Sequence, residues 1–536
     1  MPYLRNLRSH LEELERRGLL VRVKEPINKD TEMHPLVRLQ FRGLPSEQRK
    51  GFLFENVTDA RARTFDTQVA VGVVAGGPLV YQAGLLADND SQVMELWERG
   101  LKHPIPPQLV DSGPVQEVVI TGNDLVGPGK GLDAIPIPVS TPGFDAAPYI
   151  TAGHWHTKDI DTGILNVGNY RGMVKASNLT GVYVAGSQHI GIHWEKCRRL
   201  GKPLEAAVVI GVPPVVAFCA VAKIPYGVDE LAVAGGMAGE ALPVVRCKTV
   251  DINVPAEAEY VIEGRIRTDC KEIEGPFGEY HGYMAGIVLN PVFEITAITH
   301  RKRPIWVSFL SQYPPSESSQ IRKVPNEQVF LKFLRDDCGN PAVKEVVFPH
   351  YGGALEMIVI SLASVHPSST WKALNAAVAM EAAYGKIVVA VDEDVNPHDA
   401  EAIWWAITYH TQPHRDFRMT RGKVGLAPYS VGPTAEEGMF SATYPDNQGI
   451  SAVMIDATRK WAYPPISLPP KQIMEHAIGL WQKLGLPELE LKQPWFGNPT
   501  TRWSQALQQA ADRALQGDYE TTGKQRLGTR TTDFNR

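Results

Sequence analysis

Residues 206–222 read AAVVIGVPPVVAFCAVA, the longest apolar run in the chain. The run is close to the shortest length that spans a membrane, but Pro213 and Pro214 interrupt it where a helix would need their missing amide hydrogens. Because Val, Ile and Phe are typical of strands, the run is interpreted as two buried strands joined by a Gly-Val-Pro-Pro turn. We therefore expect no membrane span here and a sheet in the middle of the chain.

The sequence around this run keeps the same character from about residue 115 to residue 310. Short stretches rich in Val, Ile, Thr and Tyr are separated by Gly and Pro, and long helical patterns are few. The clearest stretches are VQEVVITG (115–122), YITAGHWHTKD (149–159), YVIEGRI (260–266) and VFEITAITH (292–300). Closely spaced strands of this kind predict an antiparallel barrel or sandwich.

On the N-terminal side, helical and strand patterns alternate. Leucines at three- and four-residue spacing predict a helix in the first turns of the chain, which Gly18 ends. The strand LLVRV follows, then a helix over 31–42 and strands over 52–57 and 69–76. This alternation predicts an α/β domain over residues 1–112.

A similar alternation returns after about residue 320. An Ala-rich helix over 369–384, capped by Ser and Thr, precedes the buried strand KIVVAV, and AEAIWWAITYHT (400–411) predicts another helix. The polar tail after Gly517 is either mobile or an arm that lies on a neighbouring subunit. The expected fold class is α/β, or α+β multidomain. Its four parts are an α/β domain (1–112), a β-rich domain (113–320), an α/β domain (321–485) and a C-terminal helix with a tail (486–536).

The composition excludes several classes of protein. With 43% hydrophobic and 21% charged residues among 536, the chain has an ordinary globular composition. Its net charge of −5 gives no basic excess that would attract nucleic acid. Five cysteines without a CxxC pair argue against a disulfide framework and favour a reduced interior. The charged N-terminus does not resemble a signal peptide, so a cytoplasmic location is expected.

The most distinctive motif is IEGPFGEYHGY (273–283), in which Glu274 and Glu279 flank a Gly-Pro-Phe-Gly turn. The glycines and the proline exclude a regular helix, so the loop itself must orient both side chains. Paired carboxylates in an apolar setting can have pKa values that are pushed apart, which is typical of general acid–base catalysis. The alternative is an exposed turn with two solvated acids.

Three other motifs carry candidate ligands. In NVGNYRGMV (166–174), Arg171 lies in a mostly apolar strand and needs a carboxylate partner or an anionic ligand. His189 in GSQHIG is placed between a strand and a turn, and Glu230 in IPYGVDELAVAGG follows a tight turn. Asn, His and Glu side chains together suit Mn²⁺, Fe²⁺ or Mg²⁺.

Other possible sites are weaker. The chain has no P-loop, no GxGxxG between a strand and a helix, and no HExxH or GxSxG motif. His154 and His156 share one face of a strand but lack a third ligand nearby. A group of acids follows the strand KIVVAV and is expected to cap turns and the next helix rather than bind calcium. These acids are Asp392, Glu393, Asp394 and Asp399.

Taken together and in this order, NVGNYR, SQHI, IPYGVDE and EGPFGEYHGY resemble the motifs of the UbiD family of prenylated-flavin-dependent decarboxylases. The resemblance runs from the N-terminal LRSHLEELERRGLLVRV to the IDAT segment at 455–458. It implies an α/β N-terminal domain, a central split β-barrel that binds the flavin, and an α/β C-terminal domain involved in oligomerisation.

The resemblance also implies roles for single residues. Asn166, His189 and Glu230 match the positions that hold a divalent metal, Mn²⁺ or else Fe²⁺ or Mg²⁺, against the phosphate of prenylated FMN. A potassium ion would share Glu230 with carbonyls of the loop around Ala222. The residues that match cofactor-binding positions are Asn166, Tyr170, Arg171, Gln188, His189 and Glu230. Those that match the catalytic network are Arg171, Glu274 and Glu279.

One position departs from the family pattern. Many relatives carry a basic residue four positions before the Asp of the IDAT segment, where it reaches the cofactor phosphate, but this chain has Ala452. Lys423, Arg459 and Lys460 are candidates to replace it. Otherwise the phosphate would depend more strongly on the metal.

The function implied by the resemblance is the non-oxidative, reversible-type decarboxylation of an aromatic or α,β-unsaturated acid. The substrate is either a free acid of the hydroxybenzoate or polyprenyl-hydroxybenzoate type or an aromatic acyl-CoA such as phthaloyl-CoA. Two alternatives are a flavin-binding oxidoreductase and a non-catalytic subunit of a multi-subunit carboxylase. The acid pair around Arg171 argues against the first, and the presence of Glu279 argues against the second. A flavin prenyltransferase would supply the cofactor, and a homo-oligomer, a dimer or a hexamer, is expected.

Overall fold

The computed structural model describes residues 3–527 except 185, 187, 354, 364–365, 382, 422, 424–450 and 498–502. These residues form a mixed, multidomain fold with three principal sheets. Its α-helices are Leu7–Arg16, Met33–Gly43, Pro78–Gly84, Asp90–Lys102, His189–Arg199, Pro214–Cys219, Glu230–Ala238, Glu317–Lys332, Pro367–Met380, Ala400–His410, Pro413–Asp416, Lys471–Lys483, Gln505–Leu515 and Tyr519–Leu527. Within the described part of the chain, no helix combines the length and the apolar character needed to cross a membrane.

The middle of the chain forms a curled antiparallel sheet of nine strands. In spatial order its strands are Leu165–Asn169, His154–Lys158, Leu204–Ile210, Tyr260–Ile266, Val292–His300, Leu179–Gly181, Gly172–Ala176 and Tyr149–Ile150, with Val118–Thr121 paired to Val292–His300. Strands Leu165–Asn169 and Gly172–Ala176 are consecutive in sequence but lie near opposite ends of this order. The sheet is therefore curled into a half-barrel, and Tyr170 and Arg171 join its two ends. The antiparallel barrel predicted from the strand spacing is confirmed.

The apolar run 206–222 contains one strand rather than the predicted two. Leu204–Ile210 is a buried strand of the half-barrel, but Pro214–Cys219 is a helix. The proline at the start of the helix fits there, since its fixed φ is already helical and its missing amide hydrogen is not needed. Phe218 stacks on Tyr81 with 3.9 Å between ring centroids. Because buried helices and buried strands have similar apolar compositions, the pattern alone could not separate them.

The N-terminal sheet has four strands, of which the last comes from a distant part of the chain. In order they are Leu20–Val23, Gly51–Phe54, Gln68–Val71 and Ile305–Ser308. The last strand, Ile305–Ser308, follows the half-barrel in sequence and pairs in parallel with Gln68–Val71. The helix Leu7–Arg16, predicted from its leucine spacing, packs its apolar face against the same core. The N-terminal region and the half-barrel therefore share one hydrophobic core.

The C-terminal region is a five-stranded sheet with helices. Its strands, in order, are Val343–Val347, Met357–Leu362, Ile387–Asp392, Ser451–Asp456 and Phe417–Arg421, and the middle three are parallel. The helix Pro367–Met380 is capped by His366, whose imidazole accepts the amide hydrogen of Ser368 at 3.3 Å. The predicted capping by Ser or Thr is thus wrong, because a histidine acceptor fills the same role. The predicted helix over 400–411 is confirmed as Ala400–His410.

The end of the chain is helical and has little buried surface. Neither Lys471–Lys483 nor Gln505–Leu515 has a fully buried residue. Residues 519–527 form a further helix, which the polar composition of the predicted tail did not indicate. Residues 528–536 of that tail lie outside the described residues.

Candidate active site

The motif IEGPFGEYHGY lies in a long hairpin over residues 272–290. Its paired strands are Glu272–Glu274 with Val288–Asn290 and Phe277–Gly278 with Met284–Ala285. Gly275, between the two paired sections, has a φ of 108°, and a Cβ there would stand 2.5 Å from the carbonyl oxygen of Gly286. Only glycine tolerates both the angle and the contact. The local sequence thus builds the bend that separates Glu274 from Glu279.

Arg171 contacts both glutamates of the hairpin. Its Nε donates to Glu274 Oε1 at 2.9 Å and its Nη2 to Glu274 Oε2 at 3.1 Å, which is a bidentate pair. Its Nη1 donates to Glu279 Oε1, and Asn290 donates to Glu274 from the adjacent strand. The side chain of Glu274 is fully buried, whereas 19% of that of Glu279 is exposed. The alternative of two solvated acids is therefore wrong, because both carboxylates bind one buried guanidinium.

Aromatic rings enclose this guanidinium. Cζ of Arg171 lies 4.6 Å from the ring centroid of Tyr183 and 5.2 Å from that of Phe277. Burial alone would lower the pKa of Arg171, but Glu279 and Glu274 outweigh it and raise that pKa. Burial and the charge of Glu274 raise the pKa of Tyr149, which packs on Phe277. Arg171 and Tyr149 therefore keep their protons at ordinary pH.

Asp145 anchors the hairpin from a neighbouring loop. Its Oδ1 accepts the amide hydrogen of Gly278 at 3.1 Å, and its Oδ2 accepts that of Thr141 at 2.6 Å. A Cβ at Gly278 would lie 2.3 Å from Oγ1 of Thr141, so the loop and the hairpin are in close contact. Burial raises the pKa of Asp145 to about 6. The sequence did not indicate this residue, because nothing in FDAAP distinguishes it from an ordinary loop acid.

Asn166, His189 and Glu230 come together beside the Tyr170–Arg171 junction. Asn166 lies in strand Leu165–Asn169, and each of the other two residues opens a helix. Oε1 of Glu230 lies 3.8 Å from Nδ1 of His189. Oε2 of Glu230 accepts the backbone amide hydrogen of Val167, the residue after Asn166, at 2.9 Å. The sequence placed His189 between a strand and a turn, which is wrong, because it is the first residue of the helix His189–Arg199. The three predicted metal ligands are therefore close together.

The remaining predicted cofactor residues extend the same group. Gln188 is the N-cap residue of the helix that His189 opens. Tyr170 is half-buried and hydrogen-bonded to Asn166, and this burial raises its pKa to about 12. Within the described residues, no three His, Cys, Asp or Glu side chains converge at one point. A metal bound here would therefore need the amide of Asn166 as a ligand beside His189 and Glu230.

The candidates to replace a basic residue at Ala452 differ in their contacts. Arg459 pairs with Asp392 at 3.0 Å, and Lys460 lies 3.0 Å from Asp456, so carboxylates already neutralise both charges. Lys423 instead donates to backbone carbonyls near the end of the helix Pro367–Met380. Only Lys423 of the three carries a charge that no described carboxylate pairs directly.

Lys223 is a basic residue near the site, and the sequence did not indicate it. It follows the loop around Ala222, and its Nζ lies 3.2 Å from Oε2 of Glu381 and 5.3 Å from the ring centroid of Tyr384. Burial opposes its charge, but Tyr384 and Glu381 outweigh burial and raise the pKa of Lys223; the charge of Tyr170 contributes as well. Lys223 thus links the half-barrel to the C-terminal domain next to the predicted cofactor residues.

The two clusters expected to be structural are the histidine pair of the half-barrel and the acids that follow the strand Ile387–Asp392. His154 and His156 are buried in the half-barrel, and burial lowers the pKa of each to about 3. Asp399 caps the helix Ala400–His410 by accepting the amide hydrogen of Glu401 at 3.0 Å, as predicted.

The two larger domains match one family of enzymes. Residues 108–314 match the 3-octaprenyl-4-hydroxybenzoate carboxy-lyase Rift-related domain, and residues 320–442 match the C-terminal domain of the same carboxy-lyase. A protein from Archaeoglobus fulgidus is 34% identical over 363 residues, which cover 66% of this chain and 69% of that protein. The chain belongs to the UbiD family. The UbiD family consists of carboxy-lyases, so the protein is an enzyme of this class.

Solved UbiD structures share the fold. An evolved dimeric form of the UbiD-class enzyme HmfF from Pelotomaculum thermopropionicum, in complex with prFMN, has a TM-score of 0.74 and 30% identity over 89% of this chain and 100% of its own. Vanillic acid decarboxylase from Sedimentibacter hydroxybenzoicus in its closed form has a TM-score of 0.76 and 27% identity over 90% of this chain and 100% of its own. The UbiD fold expected from the sequence motifs is therefore confirmed.

Proposed function

We propose that this UbiD protein decarboxylates an aromatic or α,β-unsaturated acid with prenylated FMN, and that Arg171, Glu274 and Glu279 act on the substrate. The supporting observation is the second carboxylate on the buried guanidinium. A structural ion pair needs one carboxylate, which Glu274 supplies with full burial. Glu279 is added on the more exposed side, where a substrate has access.

Each side chain then has a distinct task. Arg171, fixed by Glu274, orients the substrate carboxylate by charge and by its planar donors. The carbon–carbon bond breaks, CO₂ leaves, and the electron pair stays on the substrate carbon. The carboxyl group of Glu279 gives that carbon a proton and later regains one from water. The rings of Tyr183 and Phe277 exclude water from the guanidinium. Prenylated FMN, when bound, supplies the electron sink.

The residues beside Tyr170 fit the cofactor and its ions. Two ligands of one small cation lie roughly 3–4 Å apart, which is the range of the 3.8 Å between His189 and Glu230. Together with Asn166 they would hold Mn²⁺, or Fe²⁺ or Mg²⁺, against the cofactor phosphate, with K⁺ shared by Glu230 and the loop around Ala222. Gln188 and Tyr170 complete this set. Lys423 is the proposed replacement for the basic residue missing at Ala452.

We expect His189→Ala to lose both metal and flavin without unfolding. The substitution removes one of three ligands at a helix start where the imidazole is partly exposed, so the core is unaffected. Metal content by elemental analysis and flavin absorbance should both fall by at least tenfold, as for a lost ligand contact. The exposed His103→Ala serves as the control. Unchanged metal and flavin contents in His189→Ala would remove this residue from the site.

We expect Asp145→Asn to lower kcat/KM by roughly tenfold, because an amide accepts only one of the two backbone hydrogens well. The wild type should also lose activity as the pH falls through about 6, since protonation weakens both contacts. The stability of the fold, in contrast, should be higher at low pH and should fall as the pH rises. Because burial raises this pKa, ionisation of Asp145 costs stability as the pH rises from about 4 to 6. A pH–rate profile that keeps its acid limb in Asp145→Asn would contradict this assignment.

The function is tested by co-expression with a flavin prenyltransferase, the proposed supplier of the cofactor. The purified protein should carry prenylated FMN by mass and absorbance and release CO₂ from an aromatic or α,β-unsaturated acid. Protein loaded with prenylated FMN that releases no CO₂ from a panel of such acids would argue for the non-catalytic alternative.

We also propose that the protein is a homo-oligomer, a dimer or a hexamer. The helix Ala400–His410 leaves two aromatic side chains largely exposed, with 59% of Trp404 and 66% of Tyr409 accessible. Large aromatic side chains on one helix are typical of protein interfaces. The HmfF structure named above is an evolved dimeric form, so this fold is compatible with a dimer.

A further inference from the structure

The buried carboxylate of Asp159 connects to the proposed metal ligands through two sets of side chains. Asp159 follows the strand His154–Lys158 and is 1% exposed. Its Oδ1 accepts the amide hydrogen of Asp161 at 2.9 Å, which forms the turn into the next strand. Its Oδ2 instead accepts a hydrogen from Lys196 at 2.7 Å and one from the hydroxyl of Tyr226. The turn therefore uses one oxygen of this carboxylate, and the other faces the site.

The first set of side chains leads from Asp159 to Asn166. Nε2 of His193 lies 3.9 Å from Oδ2 of Asp159, and Nδ1 of the same ring lies 3.0 Å from Oγ1 of Thr157. The side-chain nitrogen of Asn166 donates to that hydroxyl oxygen at 3.5 Å. All four side chains are buried. Burial lowers the pKa of His193 to about 4, so its ring is neutral and carries a proton on one nitrogen only.

The charge of Asp159 sets the direction of these hydrogen bonds. Burial opposes this charge, but the hydrogen bonds from Lys196 and Tyr226 outweigh burial and lower the pKa of Asp159. A carboxylate near Nε2 of the imidazole favours the tautomer with its proton there, which leaves Nδ1 to accept the hydroxyl hydrogen of Thr157. The hydroxyl oxygen can then accept a hydrogen only from the nitrogen end of the Asn166 amide. The oxygen end, which is the end that binds cations, stays available for a metal.

The second set of side chains leads from Asp159 to His189. The ring of Tyr226 meets the imidazole of His189 edge to face, with 5.1 Å between the ring centroids. Tyr226 is 43% exposed, so its hydrogen bond to Asp159 is what fixes the ring in this place. One carboxylate thus supports two of the three proposed ligands. We call the following residues the support network: Asp159, His193, Thr157 and Tyr226.

We propose that the support network consists of positioning residues that hold Asn166 and His189 in the orientation that a divalent cation requires. This inference rests on the metal site of the proposed function and adds the residues that orient its ligands. Partners behind the ligands of a metal typically contribute roughly 10–100-fold to its affinity. Asparagine depends on such support more than other ligands, because the two ends of its amide have the same shape and only the oxygen binds cations.

The test is titration of the full-length, flavin-loaded protein with Mn²⁺, followed by the electron paramagnetic resonance signal of the free ion. We expect Thr157→Val, which keeps the branched shape but removes the hydroxyl, to weaken Mn²⁺ binding by roughly tenfold or more. Thr157→Ser restores the hydroxyl and should bind Mn²⁺ nearly as the wild type does. The matched control is Thr299→Val, since Thr299 is fully buried in another strand of the half-barrel and its hydroxyl has no hydrogen-bond partner among the described residues.

Double variants test whether the support network acts along two separate paths. Asp159→Asn keeps an acceptor for the turn but removes the charge, so it should weaken Mn²⁺ binding at least as much as Thr157→Val does. Combined, these two substitutions should lose less binding free energy than the sum of the single losses, because both act on Asn166. Thr157→Val and Tyr226→Phe should instead be additive, because they act on different ligands.

The outcomes separate this inference from the proposed function. Wild-type Mn²⁺ affinity in Thr157→Val, a loss that Thr157→Ser does not recover, or an equal loss in Thr299→Val would overturn the inference. A wild type that binds no Mn²⁺ would overturn it together with the proposed metal site. In each of these cases CO₂ release by the wild type would leave the decarboxylase proposal intact. Mn²⁺ binding that depends on the support network, without CO₂ release from any acid, would support the inference and refute the decarboxylase function.

Discussion

Glu279→Gln should lower turnover by roughly 10²–10⁴-fold, the contribution of a positioned general acid. The amide keeps the shape of the side chain and can still accept a hydrogen bond from Arg171, but it has no proton to give to carbon. Loss of CO₂ and protonation would therefore be uncoupled. Turnover and the exchange of product hydrogen in D₂O, both measured on cofactor-loaded protein, should fall together. Flavin content should stay at the wild-type level, because the proposed metal ligands lie on other segments.

Glu272→Gln is the matched control for this variant. Glu272 lies in the same hairpin two residues before Glu274, but it is exposed and pairs with Lys175 at 2.8 Å on the surface. Surface ion pairs contribute about 0–1 kcal/mol, so this variant should turn over as the wild type does. Near wild-type turnover in Glu279→Gln would refute the mechanism, since the hairpin would then be only a structural turn. Equal losses in both variants would mean that the hairpin, rather than one carboxyl group, had been damaged.

The sequence predicted two kinds of feature. One is secondary structure with a regular spacing of apolar residues, and the other is a set of side chains that belong to recognisable motifs. Strand spacing was sufficient for the antiparallel half-barrel, and the motifs brought Arg171 together with Glu274 and Glu279, which are more than 100 residues away. Leucine spacing located the first helix because each turn presents the same face to the core. These predictions depend on periodicity or on a fixed set of residue types, both of which are visible in one chain.

Features that arise from contacts between distant segments could not be predicted. Asp145 looks like any loop acid, and only the folded chain shows that it holds the amide of Gly278. Lys223 gains its environment from Glu381, which lies in another domain. The helix Pro214–Cys219 was predicted as a strand because its apolar composition does not reveal that it packs among helices. For Asp145 and Lys223 the deciding partner is more than 100 residues away in sequence, so no local pattern records it.

Arg171→Met should destabilise the folded protein by about 3–5 kcal/mol at neutral pH, the usual cost of leaving one buried charge without its partner. Methionine keeps an unbranched stem against Tyr183 and Phe277, so little packing is lost. The carboxylate of Glu274, fully buried, would retain neutral hydrogen-bond partners, Asn290 and Tyr149, but no cation. Unfolding by urea, followed at several pH values, measures the loss. Arg267→Met, where the guanidinium is partly exposed and pairs with the exposed Asp269, should cost less than about 1 kcal/mol.

The pH dependence and a double variant test whether Glu274 is the cause. Without Arg171, the buried carboxylate of Glu274 keeps a charge that no cation balances, and this charge is the source of the cost. The deficit of Arg171→Met should thus shrink on acidification. Arg171→Met/Glu274→Gln should recover much of the loss at neutral pH, because a neutral amide is cheaper to bury than a carboxylate. A deficit that is independent of pH and additive in the double variant would show that Arg171 stabilises the fold through packing rather than through its pairing with Glu274.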